Sequence, residues 1–264
     1  MITINDLEKA HQYKRGANLY DSPMKILENF FKNTEDIVDE YKIKVATPSE
    51  MAADTEKHDD SEEVTEYITF SRVNVEAILK PEFQLVNNSE NYNKVIGVVY
   101  ALDVQNPVLK LYNAYERSAC LNLAVFNPND IKTLHFNDIN FSSIFDNIPL
   151  FLENIEQEKI LFGNKLDFLH NSSYSGKELD EVLGRLAVKC IHQNAGMTTA
   201  YSNLIKFIKS SQSLGDIKNI YYNKDGNYSP FTLYNALTAT LSNKTDMTKR
   251  PDLVYKAYNM FSSN

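Results

Sequence analysis

The run from Lys94 to Phe126, KVIGVVYALDVQNPVLKLYNAYERSACLNLAVF, concentrates the β-branched and aromatic residues of this chain into three consecutive segments. Gln105-Asn106-Pro107 separates the first two, and Ala114-Tyr115-Glu116-Arg117 separates the second two. Adjacent strands joined by so few residues pair antiparallel, so the run predicts a β-meander. It carries no recognisable chemistry, and its weight is architectural.

Around the meander the periodicity changes character. Asn5 is placed to cap a short helix over 5–12, and Ser22-Pro23 opens a second one whose Ile26, Leu27, Phe30 and Phe31 share a face. Strand character follows from Tyr41 to Ala46, over 64–79 and over 83–87. Between them 47–63, TPSEMAADTEKHDDSEE, reads as an exposed acidic loop. Past Phe126 the pattern turns helical. Leu150 to Phe162 carry a helix that Gly163 is expected to interrupt. Ser175 and Glu178 form the S-x-x-E capping box of a helix over 176–192, whose apolar residues from Leu179 to Ile191 repeat at 3 and 1. Tyr201, Ser229-Pro230 and Pro251 mark three more helices. The expected fold is α+β: an antiparallel β-meander in the first half with two leading helices, and an all-helical second half. A β-rich part over 1–130 and a helical part over 131–264 are expected to pack as one compact unit.

The bulk properties narrow the function classes. No apolar run approaches the roughly 18–20 residues that span a bilayer, and the N-terminus is polar from the start, so a cytoplasmic protein (host cytosol or virion) is expected without a membrane partner. Cys120 and Cys190, each in an apolar run, read as buried free thiols of a reducing compartment. Net charge is −8, and residues 1–65 hold most of it, with 15 acidic against 8 basic side chains. An acidic chain is repelled by phosphate backbones at long range, which argues against bulk duplex binding but leaves room for a local basic groove. Sixteen Tyr, 14 Phe and no Trp suit an AT-rich genome and surfaces made for contact.

No phosphate-binding glycine loop, H-E-x-x-H, C-x-x-C or G-x-S-x-G motif is present, so no catalytic residue, cofactor or metal is expected, with enzyme activity left open. Asp167-x-x-His170 is the one local pair with ligand spacing, and a helix-end histidine beside a carboxylate is its plain reading. Asp59, Asp60, Glu62 and Glu63 could meet a basic protein partner, or form a solvated loop. Arg117 beside Tyr112 and Tyr115 offers a cation and aromatic faces at a sheet edge, and Lys218, Tyr222 and Lys224 repeat that mixture in a loop. Such a mixture stacks bases and contacts phosphates of single strands; the plain reading is a turn ion pair with packed tyrosines.

Leu109 to Asn122, LKLYNAYERSACLN, resembles a strand–turn–strand of the phage/plasmid-like proteins, a family of unknown function, with Arg117, Cys120 and Asn122 in its R-x-x-C-x-N element. Ser229 to Thr238, SPFTLYNALT, is similar to that family's late helix. The resemblance implies a phage or mobile-element origin and imports no activity. The reading is therefore a phage-encoded binding protein for single-stranded nucleic acid in replication or recombination. The alternative is a virion component or an inhibitor of a host protein, and a homo-oligomer would fit either. A contact surface without a reactive pocket is expected.

Overall fold

The computed structural model describes residues 2–45, 69–119, 123–125, 127–136, 140–191, 201–202, 205–206, 229–244 and 247–262. The fold is α+β, with antiparallel sheet in the first half and helices later. In chain order the elements are α1 (Ile4–Glu8), β1 (Tyr13–Arg15), β2 (Asn18–Tyr20), α2 (Pro23–Thr34), β3 (Val38–Val45), β4 (Arg72–Leu79), β5 (Leu85–Asn87), β6 (Glu90–Ala101), β7 (Val108–Arg117), β8 (Leu123–Ala124), β9 (Ile131–His135), α3 (Asn147–Glu153), α4 (Ile155–Asn171), α5 (Gly176–Ile191), α6 (Pro230–Lys244) and α7 (Arg250–Ser262). The main sheet runs β3-β4-β6-β7-β8, with β5 beside β6 and β9 beside β7. The chain divides into two compact units: residues 1–79, 96–112 and 132–150, and residues 80–95, 113–131 and 151–264.

In the first unit, α1 is shorter than its apolar pattern suggests. Thr3, not Asn5, caps it: Asp6 Oδ2 accepts from the Thr3 amide and hydroxyl, each at 2.7 Å. The helix stops at Glu8 and does not reach residue 12, and the β1–β2 hairpin follows, with Gly16 at φ 58° supplying the left-handed turn residue. Helix α2 buries Ile26, Leu27 and Phe30, and the Phe30 ring meets Tyr41 at 6.5 Å and Phe145 at 6.2 Å. Strands β3 and β4 pair antiparallel from Val38/Leu79 to Val45/Val73. At the heart of this unit a Cβ on Gly97 would lie 2.0 Å from the Tyr112 ring, whose hydroxyl donates to Asn74 at 3.0 Å and Glu76 at 2.8 Å. Gly97 is the residue that lets this ring lie flat on the neighbouring strand.

In the second unit, β5 and β6 form a hairpin whose two turn residues, Asn88 and Ser89, both have positive φ, as the favoured two-residue turn requires. Helix α4 runs through Gly163 without interruption. One glycine costs about 1 kcal/mol in a helix, and burial of Ile155, Phe162, Leu166 and Leu169 on one face outweighs it. Phe162 sits 5.3 Å from the Tyr92 ring and 4.7 Å from the Tyr115 ring. At the start of α5, Glu178 accepts from the Ser175 amide at 2.9 Å, the half of the predicted capping box in which the glutamate reaches back, and from the Ser175 hydroxyl at 2.7 Å. Ser229 caps α6 by accepting from the Thr232 amide at 3.1 Å. Leu233, Leu237 and Leu241 of α6 and Leu253, Val254 and Ala257 of α7 are buried. The helical series begins slightly later than expected, because β9 pairs with β7 first.

Candidate functional site

The second unit holds a cleft of about 260 Å³ lined by Lys94, Asn113, Ala114, Tyr115, Asn127, Asp130, Glu158, Leu161, Phe162 and Lys165. Several titratable side chains around one hollow run against the expectation of a contact surface without a reactive pocket. Period-two alternation puts Tyr92 with Lys94, and Asn113 with Tyr115 and Arg117, on one side of their strands. Helical spacing puts Glu158, Phe162 and Lys165 on one face of α4. Local periodicity thus aims each group, and the fold brings them together.

Lys94 is 1% exposed, ion-paired with Glu158, and its ammonium stands 4.3 Å from the centroid of the Tyr115 ring. Burial pulls its pKa below the ordinary lysine value, and the Glu158 carboxylate opposes that shift. Asn113, 2% exposed, donates from Nδ2 to Glu158 Oε1 at 2.8 Å and to Asp130 Oδ1 at 3.4 Å. Turning that amide over would set its oxygen against a carboxylate, so the network assigns Nδ2 to this side. Asn113 Oδ1 is then buried with no hydrogen-bond partner among the described residues. Asp130 accepts from the Asn127 amide at 3.2 Å. Burial first, and then the Glu158 carboxylate, push its pKa up to about 6, while Lys94 pulls it back. Burial also raises the Tyr115 phenol and lowers the Lys165 ammonium, which lies 4.8 Å from the centroid of the Tyr258 ring.

A buried ion pair seldom repays its own desolvation, so stability alone is a poor reason for Lys94 and Glu158 to lie here. Perturbed ionisable groups gathered at a concave site are the physical mark of a functional one. Their signal in the sequence is faint but present: a lysine and an asparagine at inward positions of otherwise apolar strands.

Apart from Tyr115, the described residues singled out from the sequence fall elsewhere. Tyr112 and Tyr115 are each 1% exposed, so both rings are packing groups and the exposed face expected of them is absent. The cause is that β7 is buried on both sides from Leu111 to Glu116. Arg117 grips Glu90 with two nitrogens, Nε at 2.7 Å, and its guanidinium lies 5.2 Å from the centroid of the Phe231 ring. Tyr115 alone of the three joins the cleft. Asp167 accepts from Asn87 at 3.0 Å and Asn88 at 3.3 Å, anchoring the β5–β6 turn to α4. His170 stacks on Phe231 with ring centroids 3.6 Å apart. Lys218, Tyr222, Lys224, Asp59, Asp60, Glu62, Glu63, Cys120 and Asn122 lie outside the described residues.

Among the described residues no group of three or more His, Cys, Asp or Glu could hold a metal ion. None of their helices is long and apolar enough to cross a membrane. Comparison with protein-family models, with curated proteins and with solved structures finds no match for this chain.

Proposed function

We propose that the second unit binds a small organic molecule in the cleft between Asn113, Asp130, Glu158 and Phe162. The observation that carries this reading is Asn113, a residue lining the cleft whose buried Oδ1 has no hydrogen-bond partner among the described residues. Leaving such a group unmade costs about 1–3 kcal/mol, which a bound ligand would recover. An engineered apolar cavity of about 150 Å³ accepts benzene, so a cleft of about 260 Å³ takes one substituted ring. Leu161 and Phe162 supply its apolar wall, and the polar groups fix orientation.

Fragments carrying a single ring should move the backbone amide resonances of Tyr115, Asn127, Leu161 and Phe162 in a two-dimensional NMR titration. Leu161→Trp, at an exposed position on the rim, should abolish those shifts while leaving the spectrum folded. Shifts that survive Leu161→Trp, or no fragment that moves these amides, would remove the cleft as the site. A single-stranded nucleic-acid partner in a phage setting is the separate reading offered by the sequence. Its test is a labelled oligonucleotide that shifts at low salt and is released steeply as salt rises.

A further inference from the structure

We infer that the cleft is built for a small organic cation, a flat apolar body bearing a protonated N–H group of the amidine class, which donates to the Asp130 carboxylate and to Asn113 Oδ1. The inference rests on the cleft being a ligand site and adds the charge and the hydrogen-bonding sense of the ligand.

The argument is an account of which lining groups are already engaged. Lys94 is committed to Glu158 and covered by the Tyr115 ring. Glu158 accepts from both Lys94 and Asn113. Lys165 is drawn over the Tyr258 ring. Asp130 receives one amide at 3.2 Å and one long side-chain bond at 3.4 Å, and no ammonium or guanidinium lies within 4 Å of it among the described residues. Asp130 and Asn113 Oδ1 both keep acceptor capacity, and Asn113 Nδ2 already reaches Asp130. A ligand that offers N–H groups satisfies both, whereas a ligand carboxylate would face Asp130 and Glu158 at close range. A positive charge beside Asp130 also offsets the repulsion between that carboxylate and Glu158. Around Asp130 the charged and titratable neighbours are Lys94 from β6, Tyr115 from β7, and Glu158 and Lys165 from α4.

The proton on Asp130 competes with such a ligand. With its carboxyl titrating at about 6, Asp130 is ionised at pH 7.5 and mostly protonated at pH 5. An amidinium stays charged across that range, so its affinity should fall as pH is lowered.

The test is an NMR titration of the folded full chain with benzamidine and with benzoate, two probes of one shape and opposite charge. Benzamidine should move the cleft amides at pH 7.5, bind about tenfold more weakly at pH 5, and bind about tenfold more weakly to Asp130→Asn. Benzoate should leave the amides unmoved. Benzoate binding as well as benzamidine, or benzamidine binding that ignores both pH and Asp130→Asn, would overturn the cation assignment. The pH arm uses the unaltered protein, so it decides even if the variant folds poorly. Neutral single-ring fragments that still move the cleft amides when benzamidine does not would defeat the cation class alone. Silence from every probe would defeat the cleft itself.

Discussion

Gly97 carries more of the first unit than its size suggests. A methyl group there would stand 2.0 Å from Tyr112 Cζ and 2.4 Å from its hydroxyl oxygen. The ring has nowhere to go, because Asn74 and Glu76 hold its hydroxyl at 3.0 and 2.8 Å. Gly97→Ala should therefore destabilise the protein by about 2–3 kcal/mol, read from urea unfolding. In a Tyr112→Ala background the same methyl should cost far less, and equal costs in both backgrounds would show that the strain lies in the backbone. Arg117 shows the other side of residue-scale reading. Its type and its tyrosine neighbours suggested an exposed cation, yet the side chain is spent on Glu90 and Phe231.

At the scale of elements, α4 ties the second unit together, since one face carries Glu158, Phe162, Leu166 and Leu169 while Asp167 and the Gly163 carbonyl meet Asn87. Gly163 looked like a breaker because helix propensity penalises it. Packing overrides propensity here, and the space beside it is open: a Cβ would meet only Asn87 Nδ2, at an ordinary 3.8 Å. Gly163→Ala should accordingly stabilise the protein by about 0.5–1 kcal/mol, seen as a raised urea midpoint with unchanged slope. A loss of stability would mean that α4 needs the glycine's freedom. Strand β7 works as the matching element, its period of two sending Tyr112 to one side and Asn113, Tyr115 and Arg117 to the other.

For the molecule as a whole, the cleft is a place where stability is given up. A carboxyl whose native pKa of about 6 exceeds its unfolded value of 3.8 binds more protons folded than unfolded between those limits. Its contribution to stability is present at low pH and is lost as pH rises through that window. Asp130→Asn should thus stabilise the protein by about 3 kcal/mol at pH 7.5 and by little at pH 4, measured by urea unfolding at the two values. Equal gains at both would exclude a strained carboxylate. The same substitution is expected to weaken cation binding, so one residue trades stability against ligand affinity, as binding residues commonly do.

The meander, the cap of α5 and the helical stripes were legible because each depends on residues within one or two turns of one another, whereas Ala114–Arg117, read as a break between strands, continue β7. Ser175 and Glu178 are three residues apart, and their hydrogen bonds follow from that spacing. The α+β class could be read from the same local periods. The cleft could not: Lys94 meets Glu158 across 64 residues and Asn113 meets it across 45, and no spacing rule encodes such pairs. Burial was equally hidden, since Tyr112 and Tyr115 have the same composition signature whether they face water or a neighbouring strand. Periodicity sets which way a side chain points along its own element. Only the assembled fold decides what it points at, and desolvation at that point turns an ordinary lysine, asparagine and aspartate into a candidate site.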